Sequence, residues 1–169
     1  GISGVAAIIV DKATGERRVG RFGWKAQIAT LLTFSGDAYT NEMGITNDLF
    51  TKEAYANIHV DKLSTTCRVV QRNEDLRDRR TGRRGIDNFE SFMKFLAPAP
   101  RGAVTPAAAR GENIFNEIGC SSCHVPQLHT GESANPVFDR KPVRLFSDLL
   151  LHDIGTGDDI EQADAKGNE

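Results

Sequence analysis

Apolar side chains recur at three- and four-residue spacing in one stretch of the chain: Ile86, Phe89, Phe92, Met93, Phe95 and Leu96. This spacing predicts a helix over residues 86–96 with one apolar face turned toward a core. Asp87 or Asn88 can cap the start of that helix, and Pro98 ends it.

A second helix is predicted to follow directly. Thr105 is a suitable N-cap, Pro106 occupies the first helical position, and Gly119 supplies the stop. A pair of cysteines therefore follows immediately on the end of a helix.

The signals before residue 86 are weaker. Residues 5–10 are apolar and predict a strand or a buried segment, with a turn at 13–15. Residues 24–34 predict a short buried helix, and the Ser-Gly-Asp sequence at 35–37 is expected to end it.

Composition limits the size of the core and the classes of partner. The 169 residues are 39% hydrophobic and 7% aromatic, with 16 Gly and 6 Pro, which is typical of a soluble chain with many loops. A modest core of this kind often needs a metal or a covalent cofactor to stabilise the fold further. The net charge of −2, and the acids mixed among the arginines of residues 72–84, give no support for a nucleic-acid partner. No apolar run approaches the roughly 20 residues that span a bilayer.

The most specific pattern is Cys120-Ser121-Ser122-Cys123-His124. Two thiols at this spacing can add across the two vinyl groups of one porphyrin, and the adjacent imidazole then reaches the iron. The pattern predicts one covalently bound haem c, with Cys120 and Cys123 as the attachment residues and His124 as an iron ligand.

Zinc and a redox dithiol are the competing interpretations. A zinc site needs about four protein ligands, and no second Cys/His pair at similar spacing is present. A thioredoxin-like dithiol is expected after a strand and at the start of a helix, whereas this pair follows a helix. Cys67 is left over and is expected to be an ordinary thiol or to pair with a segment outside the chain. The ligand on the opposite face of the iron stays open between Met43 and His152, and His152 can equally be a hydrogen-bonded residue near the haem edge.

Several blocks together resemble a known family. They are GRFGWKA (20–26), MGIT (43–46), FLAPAPRG (95–102), RGENIFNEIGCSSCHVPQLHTG (110–131) and DLLLHDIG (148–155). In this order they are similar to di-haem oxidoreductases of the thiol oxidoreductase-like, peroxidase-type family, which are distant relatives of the bacterial di-haem cytochrome c peroxidases.

The resemblance implies two haem c groups in two cytochrome-like domains, and this chain carries one attachment motif, in the place of the second. The first haem is then expected in a missing segment upstream of residue 1, or in another chain or fragment of the same enzyme. A segment downstream of residue 169 is also expected, so that the sequence looks like a fragment, a processed product or one part of a split enzyme.

The same resemblance implies two catalytic candidates. The peroxidase relatives carry a Trp between the haems and, about 20 residues later, Glu-Met-Gly, and Trp24 and Glu42-Met43-Gly44 stand at a similar separation. Trp24 would then lie in the electron path, and Glu42 would move a peroxide proton. The family's Trp-Asp-Gly-Arg is here Trp24-Lys25-Ala26-Gln27, which departs from the pattern.

We therefore expect a mainly α, cytochrome c-like haem domain with extensive loops and irregular arms. Residues 1–85 would form an inter-haem or arm region, and residues 86–169 the haem domain, truncated at its C-terminal end. The expected function is the electron-transfer portion of a periplasmic di-haem oxidoreductase that exchanges electrons with a donor or acceptor protein. The alternative is a mono-haem carrier cytochrome without its own turnover.

Overall fold

The computed structural model describes residues 3–52, 73–153 and 155. Within them the chain forms three α-helices and four short strands: α1 (Leu31–Met43), α2 (Gly85–Phe95), α3 (Pro106–Glu117), β1 (Ile8–Val10), β2 (Arg17–Val19), β3 (Leu128–His129) and β4 (Pro142–Val143). Helix accounts for 30% and strand for 11% of these residues. The prediction of a mainly α, cytochrome c-like fold is therefore wrong, because the described chain is largely irregular and has no clear cytochrome c fold.

The described residues fall into two compact units. Residues 7–52 and 73–97 form one, here called the hairpin unit, and residues 3–6, 98–153 and 155 form the other, here called the motif unit. Helix α2 groups with the residues before it. The functional division predicted between residues 85 and 86 stays a prediction.

The hairpin unit begins with an antiparallel pair in which Ile8 lies opposite Val19. Asp11, which is 1% exposed, closes the turn and ties it to the start of α1. Its Oδ1 accepts hydrogen bonds from the hydroxyls of Thr30 at 2.8 Å and Thr33 at 2.6 Å. Its Oδ2 accepts from the backbone N–H and the hydroxyl of Thr14, both at 3.0 Å. One buried carboxylate thus joins the hairpin to a helix N-terminus.

Helix α1 lies later in the chain than predicted. It begins after the N-cap Thr30, whose hydroxyl accepts from the Thr33 N–H, and continues through residues 35–37 to Met43. The Ser-Gly-Asp stretch does not stop it. The Ser35 hydroxyl donates within the helix to the Leu31 carbonyl at 2.8 Å, and the Gly36 carbonyl accepts a tertiary hydrogen bond from buried Asn47, also at 2.8 Å. The predicted helix over 24–34 is thus wrong in its start and its end.

Helix α2 confirms the helix predicted over 86–96, but its apolar face is mostly not buried. Ile86 is 0% exposed, whereas Phe92 is 62% exposed. Phe89 packs edge-on against Tyr39 of α1, with ring centroids 5.3 Å apart. Ile28 and Ile86 are the buried hydrophobic residues of the described chain. Apart from Gly20 and Gly36, the other buried residues are polar and hydrogen-bonded.

The motif unit is built around α3, which starts at Pro106 with Thr105 as its N-cap, as predicted. The short strands β3 and β4 pair antiparallel, with Leu128 opposite Val143. An isolated bridge joins Val5 to Leu151. None of the residues that the structure describes in this unit is fully buried.

Helix length also bears on membrane association. Among the described residues, no helix combines the length and apolar character that a membrane crossing requires.

Candidate haem attachment site

The two cysteines lie on a tight turn directly after α3. Gly119 adopts a left-handed conformation with φ 87°, and the 3-10 turn Cys120–Ser122 follows. A side chain rarely tolerates this φ, so glycine is the residue suited to reverse the chain here. The turn is closed by a hydrogen bond from the His124 N–H to the Cys120 carbonyl at 2.9 Å. Cys120 and Cys123 are free, partly exposed thiols on this one turn.

The imidazole of His124 is held by a backbone group. Its Nδ1 lies 3.0 Å from the carbonyl oxygen of Phe146. A carbonyl oxygen only accepts, so Nδ1 must carry the proton. The lone pair of the neutral ring is then on Nε2, which is the arrangement of a histidine prepared to bind a metal through Nε2.

The segment that supplies this carbonyl runs beside the motif. The Ser147 N–H donates to the Val125 carbonyl and the Asp148 N–H to the Cys123 carbonyl, both at 3.1 Å. Phe146 itself has φ 51°, a left-handed conformation that is unusual for a bulky residue. Strained backbone of this kind persists where its surroundings hold it, and at functional sites it often serves to orient a group.

A cleft of about 340 Å³ lies next to the motif. Most of the residues that line it are apolar or glycine, and the polar ones are Arg101, Glu112 and Asn116. The lining residues are Arg101, Gly102, Ala103, Val104, Ala108, Gly111, Glu112, Phe115, Asn116, Pro126 and Phe146. The Phe115 ring lies 6.4 Å from the His124 ring and 6.0 Å from the Phe146 ring, centroid to centroid. The cleft and the imidazole therefore share the Phe115 ring, while Phe146 lines the cleft and meets the imidazole through its backbone carbonyl. The volume falls within the roughly 300–1,000 Å³ usual for cofactor sites.

Large apolar side chains around the motif are left in contact with water. Ile114 is 54% and Ile118 is 71% exposed on α3, and Phe146 is 42% exposed. A unit with apolar side chains but without a buried residue of its own suits a large apolar cofactor that completes the core. On the donor set, the fixed imidazole tautomer and the apolar cleft, the residues present fit a haem attached at Cys120 and Cys123.

The competing metal interpretation finds no support in the described part of the chain. No group of three or more His, Cys, Asp or Glu side chains that could hold a metal ion occurs there. A structural zinc site needs such a group.

His152 lies in the same unit but is occupied by another partner. Its Nε2 is 2.7 Å from Asp148 Oδ2, and its Nδ1 is buried without a hydrogen-bond partner among the described residues. A side chain at Gly4 would meet this ring at 2.7 Å. The Leu150 N–H and the adjacent His152 hold the pKa of the Asp148 carboxyl below its ordinary value, against a smaller opposing effect of burial. The role of His152 as an iron ligand stays a prediction.

The remaining candidates belong to the hairpin unit. Met43 is the last residue of α1 and is 50% exposed, and Glu42 beside it is also exposed. Trp24 is 92% exposed on the loop before α1. The structure brings Cys120, Cys123 and His124 together in the motif unit, and it places Met43, Glu42 and Trp24 in the hairpin unit. Cys67 lies outside the described residues.

The comparisons with known proteins identify the family. A family model described as "di-haem oxidoreductase, putative peroxidase" matches residues 1–169, the whole chain. The chain belongs to this family. No curated protein and no solved structure matches it. Membership of a di-haem oxidoreductase family agrees with a haem cofactor for this chain.

Sequence reasoning missed two residues of the site, Phe146 and Arg101. Phe146 contacts His124 across 22 positions of the chain, and neither its carbonyl nor its positive φ leaves a signal in the sequence. Arg101 stands in the sequence only as part of the block FLAPAPRG (95–102), with nothing to mark it as a residue that lines the cleft.

Proposed function

We propose that this di-haem oxidoreductase chain carries one haem c, bound by thioether bonds from Cys120 and Cys123 and by His124 Nε2 as iron ligand. The observation that carries the proposal is the contact of 3.0 Å between His124 Nδ1 and the Phe146 carbonyl, which leaves Nε2 free for a metal. The apolar cleft beside the motif and the family membership support it.

The chain's own residues orient and shield the cofactor. When bound, a haem supplies reversible one-electron chemistry. The thiols fix its position, the Phe146 carbonyl keeps the proton of His124 on Nδ1, and the rings of Phe115 and Phe146 cover one side of the cleft with apolar surface. A carbonyl partner of this kind also raises the basicity of the ligating nitrogen, which tunes the reduction potential.

In our proposal the chain is the electron-transfer portion of a peroxidase-type enzyme in the periplasm. Peroxide reduction consumes two electrons and two protons for each H₂O₂ and releases two waters, so an electron-donor protein is required. The other haem would lie on a further segment or on another chain of the same enzyme. Covalent haem attachment is the reason to place the protein in an exported compartment.

Trp24 and Glu42 are the catalytic candidates under this proposal. An exposed indole at Trp24 suits electron transfer to whatever carries the other haem, and an exposed carboxylate at Glu42 suits proton transfer to peroxide. Both roles come from the family resemblance. If Glu42 acts at the other haem, Met43 beside it would flank that site, and His152 is then the candidate for the second ligand of the iron in this chain.

The test is expression of the chain in a bacterium with a cytochrome c maturation system. The pyridine haemochrome spectrum should show thioether-linked haem, and intact mass should show one added haem for each chain. Cys120→Ala, Cys123→Ala and His124→Ala should each lower covalent haem content severely, whereas Cys67→Ala and His129→Ala should keep it. Equal haem content in all five variants would overturn the attachment site.

The single attachment motif in 169 residues also favours a second candidate, a mono-haem carrier. The haem-to-protein ratio of the native enzyme and its peroxide turnover separate the two functions. One haem that stays six-coordinate and does not react with peroxide would favour the carrier.

A further inference from the structure

We infer that Arg101 binds a propionate of the haem in this site, so that one cleft offers apolar side chains to the macrocycle and a cation to its carboxylate. The inference rests on the proposed function. It concerns a residue that neither the motif nor the family assignment singles out.

Haem c is a flat apolar ring with two carboxylates on one edge. The cleft offers an apolar wall at Val104, Ala108 and Phe115, and one cation, Arg101. A carboxylate that leaves bulk water for such a cleft needs a hydrogen-bonded counter-charge. A guanidinium matches it well, since its planar fork can donate two parallel hydrogen bonds.

Among the residues that the structure describes, Arg101 has no polar partner. It makes no hydrogen bond or ion pair with any residue that the structure describes, in contrast to Arg84, which pairs with Asp48 at 3.0 Å and Asp87 at 2.6 Å. Its stiff surroundings, with Pro98 and Pro100 before it, keep it beside the cleft.

Arg101 lies just before the N-terminus of α3, and the first turn of α3 contains no acidic residue. The positive end of the helix therefore adds to the charge of Arg101 and favours an anion at this end of the cleft. Glu112 is the acidic group on the lining, and it lies in the body of α3, past its first turn.

The experiment compares Arg101→Gln with Arg110→Gln in the matured full chain. Both substitutions remove one positive charge. Arg110 is exposed on α3 and does not line the cleft, so Arg110→Gln controls for the loss of the charge alone. An unpaired propionate favours the ferric form. Arg101→Gln should therefore lower the midpoint potential more than Arg110→Gln does, and it should shift the propionate bending band in the resonance Raman spectrum. Arg101→Lys should restore most of the potential, and Glu112→Gln should move it in the opposite direction.

The outcomes separate the two hypotheses. Suppose that haem is attached, and that Arg101→Gln has the same midpoint potential and the same propionate band as Arg110→Gln. This result overturns the role of Arg101 and leaves the proposed function intact. If the wild-type chain emerges from the maturation system without covalent haem, the proposed function is overturned, and the inference fails with it. A larger fall in potential together with a shifted band supports the inference.

Discussion

Among single residues, the buried carboxyl of Asp11 makes the clearest prediction about stability. Burial raises its pKa, but hydrogen bonds from three threonines outweigh burial and hold the pKa below the ordinary value: Thr33, Thr30 and Thr14. A carboxyl with a lowered folded pKa stabilises the fold above its unfolded pKa of about 3.9, and this contribution is lost as the pH falls through the folded pKa. We expect Asp11→Asn to lower the free energy of unfolding at pH 7 by about 1–3 kcal/mol. It should also flatten the acid dependence below pH ~4, and urea unfolding across this range measures both effects.

The control for this prediction is Glu16→Gln. Glu16 lies on the same hairpin but is exposed, and it makes a surface ion pair with Arg18 at 2.8 Å. Surface pairs contribute little, about 0–1 kcal/mol. An acid dependence of Asp11→Asn as steep as that of the wild type would contradict the role assigned to Asp11.

Phe146 makes a second prediction for a single residue, because its backbone carbonyl positions His124. Asparagine tolerates the left-handed conformation that Phe146 adopts with φ 51°, whereas a β-branched valine does not. Both Phe146→Asn and Phe146→Val remove the aromatic ring. We expect the valine variant to shift the reduction potential of the haem further than the asparagine variant, since only valine displaces the carbonyl. Equal potentials would show that the ring matters and the carbonyl does not.

At the level of elements, Gly85 fixes how closely α1 and α2 approach. A Cβ at Gly85 would overlap the hydroxyl of Tyr39 and lie 2.9 Å from Asp75 Oδ1. Helix propensity alone would favour alanine by about 1 kcal/mol. We expect the opposite sign, with Gly85→Ala destabilising by about 1–3 kcal/mol because the contact is overpacked. Thermal or chemical unfolding measures the difference.

The matched background is Tyr39→Phe, which removes the hydroxyl that the new methyl group meets. Gly85→Ala should cost less stability in this background than in the wild type, since the double substitution relieves part of the clash. The same loss in both backgrounds would place the cause elsewhere, at the Asp75 carboxylate, which accepts from the Gly85 N–H at 2.7 Å and the Ile86 N–H at 3.1 Å.

The helices also show what a sequence can predict about elements. Helices α2 and α3 were predictable because they combine periodicity with clear stops, such as Gly119 after α3. Helix α1 was placed too early, because its real start depends on Thr30 and Thr33 meeting a distant carboxylate, Asp11. Its apparent stop at residues 35–37 is overridden by tertiary contacts, since the Gly36 carbonyl accepts from buried Asn47 at 2.8 Å. Local propensity does not contain such contacts.

Across the whole molecule, the sequence identifies the family but not the fold. A short motif is enough to predict Cys120, Cys123 and His124 as attachment residues, and these three stay a prediction. Phe146, whose carbonyl lies 3.0 Å from the His124 ring, and Arg101, which lines the cleft, come from other parts of the chain and leave no periodic signal. The mainly α prediction failed for a related reason, since much of the described chain is fixed by side-chain hydrogen bonds and short bridges instead of helical periodicity.

The absence of a buried residue in the described part of the motif unit leads to a final prediction about folding. Apolar side chains such as Ile114 and Ile118 remain exposed there, whereas the hairpin unit buries Ile28 and Ile86. A bound haem stabilises only the folded form of the unit that holds it. We expect the Cys120→Ala/Cys123→Ala double variant to lose protection from limited proteolysis within residues 98–153, while residues 7–52 and 73–97 keep theirs.

Cys67→Ala, which retains the attachment site, is the control, and peptide mass spectrometry locates the cuts. Equal protection of residues 98–153 in both variants would show that this unit folds without the haem, because a core completed by a cofactor cannot survive its removal unchanged.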